Sequence, residues 1–155
     1  MRHDIPAVYA ERIRLDPWHR YSIYSVVILT TLSGVAWLIL HYFISAPGQV
    51  DAISDPLEAL SLKVHGAAAM LMLLCLGTLF LPHMLRAWRL GRNHYLGGLL
   101  AIINLVLILT GYALYYFSTE ENHAIISAMH WVTGLLLPVI LIFHILTGRR
   151  GRARG

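Results

Sequence analysis

The sequence predicts an all-α integral membrane protein, a four-transmembrane-helix up-and-down bundle with both termini in the cytoplasm. Three observations predict it. Of 155 residues, 57% are hydrophobic and only 13% charged, against about 25% charged in an ordinary soluble domain. Four apolar runs, residues 21–45, 60–85, 95–116 and 125–146, each supply the about 20 residues needed to cross roughly 30 Å of hydrocarbon at about 1.5 Å per residue. Arginine is confined to the segments that this topology places on one side of the membrane.

Residues 1–20 carry Arg2, Asp4, Glu11, Arg12, Arg14 and Asp16 and no apolar core. They are therefore expected to form a cytoplasmic N-terminal segment rather than a cleavable signal peptide, and the first helix stays in place as an anchor. Orientation follows from the accumulation of arginine and lysine in cytoplasmic segments next to the membrane. Arg2, Arg12, Arg14 and Arg20 precede the first run, Arg86, Arg89 and Arg92 fill the second connection, and Arg149, Arg150, Arg152 and Arg154 lie in a basic tail at 148–155. The other side has Lys63 alone, with Asp51, Asp55 and Glu58 in the first loop and Glu120 and Glu121 in the third. The net charge of +4 thus reflects topology and attraction to anionic membrane lipid, and nucleic acid is not an expected partner. No repeat or linker divides residues 1–155, which read as a single membrane domain. The loop at 46–56 is the only extramembrane segment large enough to meet an external partner. Cys75, the single cysteine, sits within an apolar run as a small hydrophobe. An intrachain disulfide is impossible, and the absence of C-x-x-C-H argues against covalent c-type haem.

Histidine is the informative anomaly, because nine are present and an ionisable ring within a membrane helix is a functional hypothesis by default. His130 and His144 are 14 residues apart, a rotation of about 1,400°, within about 40° of four full turns. Both rings leave the same face of the fourth helix, separated by roughly 21 Å along its axis. Gly134 lies near that face and removes a side chain, as close approach of a flat macrocycle would require. On the second helix His65 and His83 are 18 residues apart, about five turns of one face, and the small residues Gly66, Ala67, Ala68 and Ala69 follow His65. The second and fourth helices run in the same direction, so His65 and His130 lie at similar depth and face each other. Two imidazoles opposed across an apolar bundle make an axial cage for b-type haem. Zinc fits less well, since tetrahedral sites want four clustered ligands and these histidines are strung along the helices. His3, His94 and His123, at helix ends, read as interfacial residues, and Gly66–Ala69 and Gly134 fit ordinary close helix packing as well.

Met129-His130-Trp131 followed by His144, Trp18-His19 followed by Leu32-Ser33-Gly34, His65-Gly66-Ala67-Ala68, and Thr110-Gly111-Tyr112 resemble the bacterial di-haem cytochromes b. That family includes the cytochrome b561 type and the membrane cytochrome b subunits of formate dehydrogenases and nickel–iron hydrogenases. The resemblance covers the first, second and fourth helices and implies a bacterial inner-membrane location and two haem b groups. It implies His65 and His130 as the ligands of the outer haem iron and His19 and His144 as those of the cytoplasmic one. His83 competes with His19. On a straight helix it lies about one turn, roughly 6 Å, deeper than the partner of His144 should, and the first-helix motif favours His19. His83 is then an alternative ligand or a neighbour of a propionate or quinone, and His41 is the comparable alternative at the outer end. Arg20, Arg86 and Arg149 are placed to pair with propionates, although topology explains them equally. Tyr112, Tyr115, Tyr116 and Trp131 form an aromatic belt that is also a candidate quinone pocket.

The expected function is electron transfer between the quinone pool and a redox partner, a periplasmic or membrane-bound redox protein among the candidates. The chain is expected to be either the electron-transfer subunit of a larger membrane oxidoreductase or a small stand-alone quinone reductase, and no catalytic residue is assigned. The alternative is a haem-free membrane protein that uses its histidines to bind or transport a metal ion or protons.

Overall fold

A computed structural model describes residues 16–44, 56–89 and 93–153, helical almost throughout. The arginines and acids at positions 2–14, most of the 46–56 loop, Arg92, Arg154 and His3 lie outside the described residues. Helix α1 spans Pro17–Ile39 and continues as a π-helical turn over Leu40–Ile44. Helix α2 spans Pro56–Leu79, passes into a π-helical stretch at Phe80–Leu85 and ends in a helical turn at Arg86–Arg89. Helices α3 and α4 span His94–Tyr116 and His123–Ala153. All four are long and apolar enough to cross a membrane.

The helix starts follow local chemistry and lie a few residues ahead of the apolar runs. Pro17 opens α1 and Pro56 opens α2, where a residue without an N–H costs no hydrogen bond and its fixed φ suits the first turn. Asn93 takes the left-handed conformation, φ 49°, and lets the chain turn into α3, a conformation Asn tolerates better than most residues. The fourth helix runs on through the glycine- and arginine-rich residues to Ala153, so most of the 148–155 tail is helical. Pro138 lies inside α4 and leaves the carbonyl of Gly134 without its usual backbone donor. The π-helical stretch of α2 contains Pro82, whose missing N–H breaks the regular ladder and invites a wider turn.

The four helices form two antiparallel hairpins, α1 with α2 and α3 with α4, each packed closely along its length. Helix α1 also touches α4, more sparsely, whereas α2 and α4 do not pack extensively on one another. The small core lies mid-height, where Ile23 and Val27 of α1 meet Met72 of α2, Ile103 of α3 and Leu137 of α4. Outward faces are apolar and open: Phe43 is 84% and Met70 70% exposed. An apolar exterior around so small a core suits a lipid solvent.

Candidate functional site

Two histidine pairs bridge the gap between α2 and α4, one at each end of the bundle. At the end away from Pro17 and Ala153, the far end, the rings of His65 and His130 have centroids 6.1 Å apart and planes at 82°. At the termini end, His83 and His144 have centroids 6.4 Å apart and planes at 75°. Two imidazoles bonded at about 2 Å to opposite sides of one metal ion, each with its ring centre about 1.1 Å behind the nitrogen, have centroids about 6 Å apart.

The far-end pair is oriented by the neighbouring helix of each hairpin. His65 Nδ1 lies 2.9 Å from the Thr30 carbonyl oxygen and 3.2 Å from Ser33 Oγ. A carbonyl only accepts, so Nδ1–H donates to it and Nε2 is left with the lone pair. His130 Nδ1 lies 2.9 Å from Thr110 Oγ1. The Thr110 hydroxyl already donates to the Val106 carbonyl oxygen at 2.7 Å, so here too Nδ1–H is the donor and Nε2 keeps its lone pair. This tautomer, with Nδ1–H tied to an oxygen, is the one that metal-binding histidines adopt.

Glycine makes room for both rings. A Cβ on Gly34 would lie 3.1 Å from His65 Cε1, and one on Gly111 would lie 3.3 Å from His130 Cε1, tighter than ordinary van der Waals contact. Each hairpin therefore uses the same device, a hydroxyl residue followed by glycine (Ser33-Gly34, Thr110-Gly111) against the histidine of its partner helix. These are the L-S-G and T-G-Y elements of the sequence, but no pattern in the sequence says which ring they seat. Gly134, by contrast, faces Leu107 at an ordinary 3.7 Å, and Gly66 would meet nothing. Gly134 belongs to the α3–α4 seam rather than to the gap between α2 and α4.

The termini-end pair is built differently. Asn93 Nδ2 donates to the His144 carbonyl oxygen at 3.0 Å and to Thr147 Oγ1 at 3.0 Å, and stands 3.2 Å from His144 Nδ1. A Cβ on Gly97 would lie 3.6 Å from His144 Cε1. The residue that faces His144 is His83. The π-helical stretch explains why, because it packs more residues into each turn than an α-helix and advances less along the axis, which offsets the extra depth that a straight α2 implies. His19 lies on the α1–α2 seam, its Nε2 2.9 Å from Thr78 Oγ1 and its ring stacked on Trp18. The Thr78 hydroxyl donates to the Cys75 carbonyl oxygen, so His19 Nε2–H is the donor and that nitrogen is occupied.

His41 stands apart from both pairs, bonded through Nδ1 to Glu58 Oε1 at 2.8 Å. His123 bonds Ser118 Oγ, and His94 packs against Trp88 and Tyr95. Arg20 lies over the ring of Tyr21 at 5.3 Å, Arg149 is exposed, and Tyr112, Tyr115 and Tyr116 form a mutually packed, outward-facing cluster. Among the described residues no three histidine, cysteine or carboxylate side chains converge on one point. The facing rings at each end offer two opposed imidazoles, which fits an ion whose remaining positions are filled by a macrocycle. Comparison with family models, curated proteins and solved structures gives no match to this chain.

Proposed function

We propose that the chain is a di-haem b-type membrane cytochrome that moves electrons between the quinone pool and a redox partner. The observation that carries this reading is the pair of facing imidazoles at each end of the bundle, at a spacing that suits axial ligation of one iron. His65 and His130 would hold the far-end haem, and His83 with His144 the other. His19, whose Nε2 is taken up by Thr78, is the alternative partner of His144. Haem, when bound there, would supply one-electron chemistry.

The residues around each ring set the rest. Thr30 and Thr110 fix the far-end tautomers and raise the basicity of those ligands, whereas Asn93 presents its donor nitrogen Nδ2, not its oxygen, to His144 Nδ1. Apolar side chains at mid-height separate the two ends. The chain is proposed to serve as a subunit of a membrane oxidoreductase or as a stand-alone quinone reductase of the bacterial inner membrane.

Purified protein is expected to show the sharp reduced-minus-oxidised bands of low-spin haem and about two haems per chain by pyridine haemochrome. A colourless preparation from haem-replete cells sinks the reading and leaves metal-ion or proton binding by the histidines. For topology, the arginine bias places both termini in the cytoplasm. A reporter active only in the periplasm should be silent when fused after Gly155 and active when inserted in the 46–56 loop. The opposite result inverts which haem faces which compartment.

A further inference from the structure

The α1–α2 seam that seats His65 continues beyond it to a second cluster. Glu58 stands seven residues before His65 and His41 seven after Gly34, so each lies about two turns, roughly 10 Å, farther out on nearly the same face of its helix. There His41 Nδ1 meets Glu58 Oε1 at 2.8 Å, with the His41 side chain 34% exposed and the Glu58 side chain 6% exposed. Trp37 stacks on the His41 ring, centroids 4.6 Å apart and planes 13° from parallel, and Tyr42 meets it edge-on at 4.9 Å. A carboxylate only accepts, so the neutral ring carries its proton on Nδ1 and a basic lone pair on Nε2. A buried carboxylate that orients an imidazole and stabilises its protonated form is the arrangement of a general base. A mere clamp between two lipid-embedded helices gains little from a charged group that apolar packing would replace at lower cost.

We propose that His41, backed by Glu58, is the proton acceptor for a membrane-soluble hydroquinone that docks at the far end of the α1–α2 seam. The inference rests on the proposed function for the choice of a hydroquinone and for the destination of its electrons. The step assigned to the dyad is proton transfer alone: the hydroquinone O–H bond breaks, the His41 Nε2–H bond forms, and the Glu58 carboxylate faces the new imidazolium. Complete oxidation to the quinone releases a second proton to water and two electrons, one for each ferric haem iron. Proton acceptor and nearest iron ligand thereby share one seam.

The test uses the full chain in lipid nanodiscs with a short-chain benzoquinol, in wild type and in His41→Gln, His41→Ala and Glu58→Gln. Anaerobic equilibrium binding of the quinol, which needs no electron transfer, is expected to weaken about tenfold in His41→Gln and Glu58→Gln. Haem reduction by the quinol should slow about a hundredfold, while reduction by dithionite and the two-haem spectrum stay unchanged. Added imidazole should restore quinol-driven reduction in His41→Ala. Should Glu58→Gln not fold, the two His41 variants, changed at a partly exposed ring, carry the test. Quinol binding and reduction within twofold of wild type overturn the proposal and make the dyad a clamp. A colourless wild type ends the haem reading, and the binding comparison then decides the dyad by itself.

Discussion

Replacing His83 with alanine is expected to remove one of two haems and to leave the His65/His130 haem spectrally intact. His144→Ala should give the same half-loss, and the double replacement should add nothing to either. A six-coordinate iron that loses an axial imidazole becomes five-coordinate and high-spin or releases its porphyrin, whereas loss of a neighbouring group leaves coordination unchanged. His19→Ala is the contrasting case. Its ring bonds Thr78 within the α1–α2 seam, so that variant should keep two low-spin haems with at most a shifted potential. Haem counts by pyridine haemochrome and the low-temperature α-band, which separates the two centres, decide the matter. A half-loss in His19→Ala with two haems retained in His83→Ala would restore the pairing implied by the family resemblance.

The second large effect is expected at glycine. Gly34→Leu should abolish the His65/His130 haem while the His83/His144 haem survives, and Gly111→Leu should do the same from the opposite hairpin. The first atom of any new side chain at Gly34 already lies 3.1 Å from His65 Cε1, and the branches beyond it need the volume that the ring occupies. The ring must swing, and it then loses the Thr30 carbonyl that fixes its tautomer. Gly34→Ala, which needs only a few tenths of an ångström, should keep both haems with a perturbed far-end spectrum. Gly77→Leu is the control, since a Cβ there meets nothing and leucine favours helix over glycine by roughly 0.8 kcal/mol. Haem content per chain, measured beside expression level, separates a seating defect from a folding one. Equal haem loss in Gly34→Leu and Gly77→Leu would remove the seating role.

Hydropathy made the four helices legible, because a membrane-crossing helix must be apolar over about 20 residues whatever it packs against. The 3.6-residue period likewise put His130 with His144 and His65 with His83, since a shared face needs only residue spacing. That the ring of His83 faces His144 was not legible. It depends on a π-helical stretch around Pro82 that changes both rise and phase, and a period count assumes neither change. Gly134 misled for a related reason: glycine at the right angle on one helix does not say which neighbour comes close, and here that neighbour is Leu107. The hydrogen bonds of Thr30 and Thr110 to the two far-end rings were equally hidden, since each joins residues brought together only by hairpin packing.

The thin contact between α2 and α4 bears on how such a protein is put together during biogenesis. Lipid tails are as apolar as leucine, so no hydrophobic force drives one inserted helix toward another, and association falls to close packing and polar contacts. The α1–α2 and α3–α4 hairpins have both in quantity. Their meeting has the sparse α1–α4 contact and the facing imidazoles. Assembly in a membrane is then expected to divide into two stages, hairpins first and their union second, and the second stage is where a prosthetic group of the kind proposed would have the most free energy to contribute.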